Sequence, residues 1–168
     1  PCAPNNTRRY LQDRMGLHMG RTAIHIAVIG AGPAGLALAL HAARTLPDAA
    51  VSVYDARPAE RDVSADPRTL ALSLGSVRLL QRLGAWPHDR AEPITEVQVS
   101  QAPPTLPDTV GVAEVRIRAD ELREPMLGGV IAYGRPVAAL QQSVQDAVAG
   151  EPGRLASRFG AAVASIDR

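Results

Sequence analysis

The sequence predicts an α/β fold built on a parallel sheet, and three observations carry that prediction. An apolar run, Ile24–Ile29, leads directly into three glycines, Gly30, Gly32 and Gly35, spaced G-x-G-x-x-G. A second run, Val51–Tyr54, ends on Asp55, 20 residues past Gly35. Between the two lies a helix-forming stretch rich in leucine and alanine, running to about Leu46, where Pro47-Asp48 turns the chain back. Strand, tight turn, helix and strand in that order make one βαβ unit of the Rossmann-like kind.

Each element has a physical reason. Ile24–Ile29 is apolar but for His25, as a strand buried in a parallel sheet is expected to be. Gly30 permits a sharp turn off the strand. Gly32 lacks a Cβ, so a diphosphate can approach the backbone closely, and Gly35 lets the following helix pack on the strand. Pro33 and Ala34 complete the turn and open the helix. The free N–H groups and the positive dipole end of that helix suit a phosphate. Asp55 stands where a carboxylate reaches ribose hydroxyls, and its charge disfavours a 2′-phosphate. Arg57, two residues on, works against that preference because it could face a phosphate.

Beyond Asp55 the pattern changes. A polar loop leads to Arg68–Ser73, and Ser76–Leu83 has helical period with Gly84 as its stop. Leu79, Leu80 and Leu83 are the expected core side of that helix, Arg78 and Arg82 its wet side, and Trp86 a packed indole. Ile94–Gln101 and Glu114–Arg118 alternate, predicting half-buried strands with Val97, Val99, Val115 and Ile117 inward. No helix separates them, so an antiparallel pair in a second sheet is expected. Arg116 and Arg118 share a face that could meet an anion. Val130–Tyr133 is a short strand, and Pro136 opens a helix carrying Val137, Leu140, Val144 and Val148 to about Gly150. Phe159–Ile166 resumes strand character.

Composition narrows the class. The chain has 168 residues, 46% of them hydrophobic, with a net charge of +1. That is enough for a sizeable core and gives no reason to expect nucleic acid. One cysteine, Cys2, excludes an internal disulfide and a cysteine zinc site, and the four histidines lack ligand spacing. No metal is expected, and His25 reads as a packed or solvent-edge strand residue. No apolar run reaches the length of a membrane span. Residues 1–20 read as a disordered or extraneous leader, 21–93 as a nucleotide-binding βαβ core, 94–119 as the start of a substrate-domain sheet, and 120–168 as a truncated return to the first domain.

Ala27-Val28-Ile29-Gly30-Ala31-Gly32-Pro33-Ala34-Gly35-Leu36-Ala37 and Tyr54-Asp55-Ala56-Arg57-Pro58 together resemble the opening of FAD-dependent aromatic hydroxylases of the para-hydroxybenzoate hydroxylase fold. The element Asp66-Pro67-Arg68-Thr69-Leu70-Ala71-Leu72-Ser73, followed by Ser76, Leu79, Leu80, Leu83-Gly84 and Trp86, resembles the ubiquinone-biosynthesis hydroxylase subfamily. The resemblance runs from Ile24 to about Arg168. It implies a Rossmann-like FAD-binding domain with a parallel sheet, plus the first antiparallel strands of a substrate domain. FAD would lie with its adenosine on the βαβ unit, at Gly30, Gly32, Pro33, Ala34, Gly35, Asp55 and Arg57. Arg68 would contact the flavin side. Arg135 matches a second family arginine, although Val137 stands where the family often has leucine.

The implied activity is monooxygenation of an electron-rich phenol, with NAD(P)H as reductant and O₂ as oxidant. No side chain is required as a nucleophile, so no catalytic residue is named. The implied partner is an aromatic small molecule, a prenylated one among the candidates. The implied location is cytoplasmic, with the full protein peripheral to the inner membrane or in a multi-enzyme complex. The family's second FAD motif, a Gly-Asp element, is absent from this chain, which therefore reads as an N-terminal part. Two other readings stay open on sequence: an NAD-binding Rossmann dehydrogenase domain, which would want further βαβ units after Asp55, and a cofactor-binding fragment without activity of its own.

Overall fold

A computed structural model describes residues 24–100, 114–150 and 153–167. The leader at 1–20 and the proline-bearing loop after Gln101 lie outside the described residues. The βαβ unit is formed as expected: β1 (Ile24–Ile29), α1 (Pro33–Thr45) and β2 (Ala49–Asp55), with β1 parallel to β2. A third parallel strand, β8 (Leu155–Phe159), pairs on the other side of β2, giving the order β1-β2-β8. The buried face of α1, Leu36, Ala37, Ala39, Leu40 and Ala42, packs in one core with Val51 and Val53 of β2. The last helix, α3 (Gly134–Gly150), adds Val137, Leu140 and Val144 to that core.

The intervening chain builds two antiparallel sheets. In the first, β3 (Thr69–Ser73) and β4 (Ala91–Ile94) flank β7 (Gly128–Ala132). In the second, β5 (Glu96–Ser100) pairs with β6 (Glu114–Arg118). The helix α2 (Leu74–Arg82) follows β3 without a loop, because the Ser73 side chain accepts from the Ser76 N–H and caps its first turn. Val77, Leu80 and Leu83 are buried, and Leu79 is half-buried. Trp86 is buried as anticipated, against the backbone of Gly129, where a Cβ would meet the indole at 3.1 Å. Among the described residues no helix is long and apolar enough to cross a membrane.

Four expectations are corrected. First, β1 is parallel but not buried throughout. It lies at the sheet edge, and α1 covers one face only, so Val28 is buried while His25, Ala27 and Ile29 on the other face are exposed. Second, the stretch from Ile94 to Gln101 is not one strand. Its first residue ends β4, which joins β7, and β5 begins after Thr95.

Third, β5 and β6 pair as expected but are not half-buried. Val97, Val99, Val115 and Ile117 are 38–58% exposed, since among the described residues no helix or further strand packs closely on the two-stranded sheet. Arg116 and Arg118 are held there by neighbours, Arg116 by Glu96 and Glu114, and Arg118 by Asp120. Fourth, the last strand ends at Phe159. Gly160 takes a φ of +76°, which breaks the extended run, and 161–167 form no regular element.

Candidate nucleotide-binding site

The C-terminal ends of the parallel strands carry the glycine turn, and the backbone pins it to β2. The Gly30 N–H donates to the Tyr54 carbonyl at 2.8 Å. Gly30 has a φ of +103°, a conformation that L side chains rarely adopt. At Gly35 the constraint is contact: a Cβ would lie 2.0 Å from the Gly30 carbonyl oxygen and 3.3 Å from a Val28 methyl. Turn and helix can close on each other only if position 35 has no side chain. Helix α1 begins at Pro33 with no side-chain cap and no acid in its first turn. Its first N–H groups therefore keep their donor capacity and its dipole end is not neutralised locally.

Asp55 closes the turn from the opposite side. Its Oδ2 accepts from the Ala31 N–H at 2.6 Å and from Arg57 Nη2 at 2.9 Å. Its Oδ1 accepts from the Arg57 backbone N–H at 2.8 Å and from Arg57 Nε at 2.9 Å. Arg57 Nη2 also donates to the Ala31 carbonyl at 2.9 Å. One carboxylate and one guanidinium thus staple the glycine turn to the end of β2. Bonds from Gly160 N–H to the Arg57 carbonyl and from Ala161 N–H to the Asp55 carbonyl hold that end from the β8 side.

The Asp55 side chain is 9% exposed and that of Arg57 30%. The Arg57 hydrogen bond, foremost, holds the Asp55 carboxyl well below the usual carboxylate range against the opposing cost of burial; the Ala31 N–H adds to the effect. Arg57 is raised, chiefly by the same pair and in lesser part by the Tyr133 hydroxyl. Four donors already occupy the roughly four acceptor positions of the carboxylate. A ribose hydroxyl reaching Asp55 has to take the place of the Arg57 side chain.

Arg68 and Arg135 fare differently. Arg68 directly precedes β3, is largely exposed, and forms an ion pair with Asp66 at 2.7 Å. Its guanidinium also lies over the Tyr133 ring, 4.2 Å from the centroid. Through Tyr133 it reaches the glycine turn, because a Cβ on Gly32 would meet the Tyr133 hydroxyl at 3.6 Å. Arg135 is exposed in the first turn of α3, two residues past Tyr133. So the structure brings together Gly30, Gly32, Pro33, Ala34, Gly35, Asp55 and Arg57, with Arg68 on the flank through Tyr133. Sequence pattern marks Tyr133 only as the end of a short strand. Its place at the turn depends on the β3–β7 register, which local pattern does not reveal.

A cavity of about 610 Å³ lies at the other end of α1. Its arginines are spent on helix ends: Arg44 donates to the carbonyls of Arg82 and Leu83, and Arg154 to those of Ala43 and Leu46. This is C-terminal capping, which ties α1 to the end of α2.

No family model and no curated protein matches the sequence. Among solved structures, the chain is similar to tetracycline destructase Tet(51), with a TM-score of 0.50 and 16% identity over 86% of this chain and 32% of that one. It is similar to FqzB with a TM-score of 0.52 and 16% identity over 86% of this chain and 30% of that one. The likeness is one of fold. The chain spans about a third of the length of these solved structures.

One expected outcome concerns the staple. Arg57→Met removes three side-chain hydrogen bonds from the turn and leaves Asp55 a partly buried charge without its cation. Because Arg57 is partly exposed, a loss of about 1–2 kcal/mol is expected in denaturant unfolding at neutral pH. An unchanged midpoint would mean that backbone bonds alone hold the turn.

Proposed function

We propose that the chain is the nucleotide-binding part of an FAD-dependent oxidoreductase, a monooxygenase that hydroxylates an aromatic ring. One observation carries the reading: the glycine turn, uncapped at the α1 N-terminus, is stapled to a strand-end carboxylate at ribose-reaching distance in sequence. A diphosphate fits the free N–H groups of α1, and an adenosine ribose fits Asp55 once Arg57 yields its place. When bound, the flavin supplies the electron-transfer and oxygen-activating chemistry. The chain's own residues hold the nucleotide: Gly30 and Gly35 shape the turn, Gly32, Ala34 and Gly35 admit the diphosphate, and Asp55 takes the ribose. Arg68 and Arg135 present positive charge toward the flavin side.

FAD is favoured over a nicotinamide cofactor by the course of the chain after β2. A dinucleotide dehydrogenase would continue in βαβ units, whereas here β3, β7 and β4 form an antiparallel sheet before β8 returns to the parallel one. NAD(P)H belongs to the proposal as the reductant. The finer assignment, an aromatic and prenylated ubiquinone precursor as substrate, rests on the sequence element Arg68–Ser73. So does association of the whole protein with the inner-membrane surface or a multi-enzyme complex.

The test is a purified preparation of the protein carrying this chain. A yellow colour, a flavin absorption spectrum and FAD released on denaturation are expected. A colourless protein that binds NAD more tightly than FAD would overturn the reading. Gly32→Val places a branched side chain between the turn and the diphosphate. At least a tenfold loss of FAD affinity is expected, on the order of one lost charge-assisted hydrogen bond. A folded variant with wild-type affinity would move the site elsewhere.

A further inference from the structure

Tyr133 occupies the glycine turn without a role in stapling it. Its place follows from strand pairing. The β3–β7 register runs from Ser73 opposite Gly128 to Thr69 opposite Ala132, and one step further sets Arg68 opposite Tyr133. The Tyr133 N–H donates to the Arg68 carbonyl, which fixes the phenol at the strand end. The Arg68 guanidinium lies over the ring, 4.2 Å from its centroid, a cation–π contact that orients the ring from one face. The hydroxyl stands next to Gly32, where a Cβ would meet it at 3.6 Å.

A phenol hydroxyl has one proton to donate and two lone pairs to accept with. Arg57 and Arg68 are donors only, so neither can take that proton. Asp55 has four donors on its two oxygens already. The phenolic proton is therefore left for an acceptor at the mouth of the turn. The same place adjoins Gly32, the residue that leads into α1, and the Arg68 guanidinium lies over the ring. Everything that converges there favours a doubly or singly charged oxyanion.

The geometry points to the Tyr133 hydroxyl as a hydrogen-bond donor to the diphosphate of the nucleotide held at the glycine turn, a role that rests on the FAD reading above. Arg68 then acts as a positioning residue, through the ring it holds. The consequence is selective: removing the hydroxyl weakens ligands that carry phosphate and spares those that do not.

Tyr133→Phe tests this, since it keeps the ring beneath Arg68 and the backbone bond to the Arg68 carbonyl. Titration calorimetry of the wild-type protein and the variant is run with ADP and with adenosine, and FAD affinity is followed by flavin fluorescence. ADP and FAD are expected to bind about tenfold more weakly or worse, the size of one hydrogen bond to a charged group, with adenosine unchanged within twofold. Unchanged ADP affinity would overturn the proposal. So would an equal loss for ADP and adenosine, which marks a structural role for the hydroxyl. Failure of the wild-type protein to bind ADP or FAD at all would instead remove the nucleotide reading itself, and the Tyr133 role with it.

Discussion

Gly35→Ala is expected to destabilise the protein by roughly 3 kcal/mol or more, enough to leave much of it unfolded or insoluble. The added Cβ would stand 2.0 Å from the Gly30 carbonyl oxygen, where about 3.5 Å is comfortable. Neither atom can move aside cheaply. Gly30 is held by its N–H bond to Tyr54, and α1 is locked by the buried Leu36, Ala37 and Leu40 around position 35. Relief requires α1 to lift off β1, which uncovers Val28. Gly75→Ala is the control. Gly75 lies in α2, its Cβ would come no closer than 3.9 Å to Ser73 Oγ, and alanine is the better helix former. That variant is expected to gain up to about 1 kcal/mol. Denaturant unfolding of both variants against wild type checks the pair. A Gly35→Ala midpoint within error of wild type would mean that the turn and helix are not in contact.

Asp55→Ala is expected to weaken FAD at least tenfold at neutral pH, and to loosen the apo protein as well. The ribose loses a charge-assisted acceptor, worth about 1.5–3 kcal/mol, and the turn loses the group that binds the Ala31 N–H. The two effects separate by ligand. Loosening acts on all nucleotides, whereas the lost ribose contact spares inorganic pyrophosphate. An unchanged FAD dissociation constant would remove Asp55 from the site.

The same residue predicts an acid limb. The folded state lowers the Asp55 carboxyl, so its contribution is complete above the unfolded carboxylate value of about 3.9. As pH falls below that value through the folded one, the unfolded state takes up the proton first and the contribution is lost. Wild-type stability measured from pH 6 down to pH 2 is therefore expected to fall more steeply than that of Asp55→Ala. Parallel profiles would show that the staple contributes no pH-dependent stability.

Local pattern was sufficient for the βαβ unit. The apolar runs, the glycine spacing, Pro47-Asp48 and Asp55 each act over a few residues, and steric and hydrogen-bonding rules there leave little choice. The same holds for the α2 period and the α3 core stripe at Val137, Leu140 and Val144. The antiparallel pairing of β5 with β6 was also legible, because alternation without an intervening helix permits little else.

Burial was not legible in that way. A largely apolar run at Ile24–Ile29 says that a strand is suited to the interior, but the number of elements covering it decides how much is buried. Among the described residues one helix and one neighbouring strand cover β1, and Val97, Val99, Val115 and Ile117 stay exposed. The tertiary structure also decided which residues share the site. It set four donors on Asp55, spending Arg57 on a carboxylate two residues away. It carried Tyr133, 78 positions from Asp55 in sequence, to the mouth of the glycine turn through strand register alone. The division has one physical reason. Turn chemistry and periodicity are properties of neighbouring residues, whereas exposure, ion pairing and the meeting of Arg68, Tyr133 and Gly32 belong to contacts that exist only after distant strands have paired.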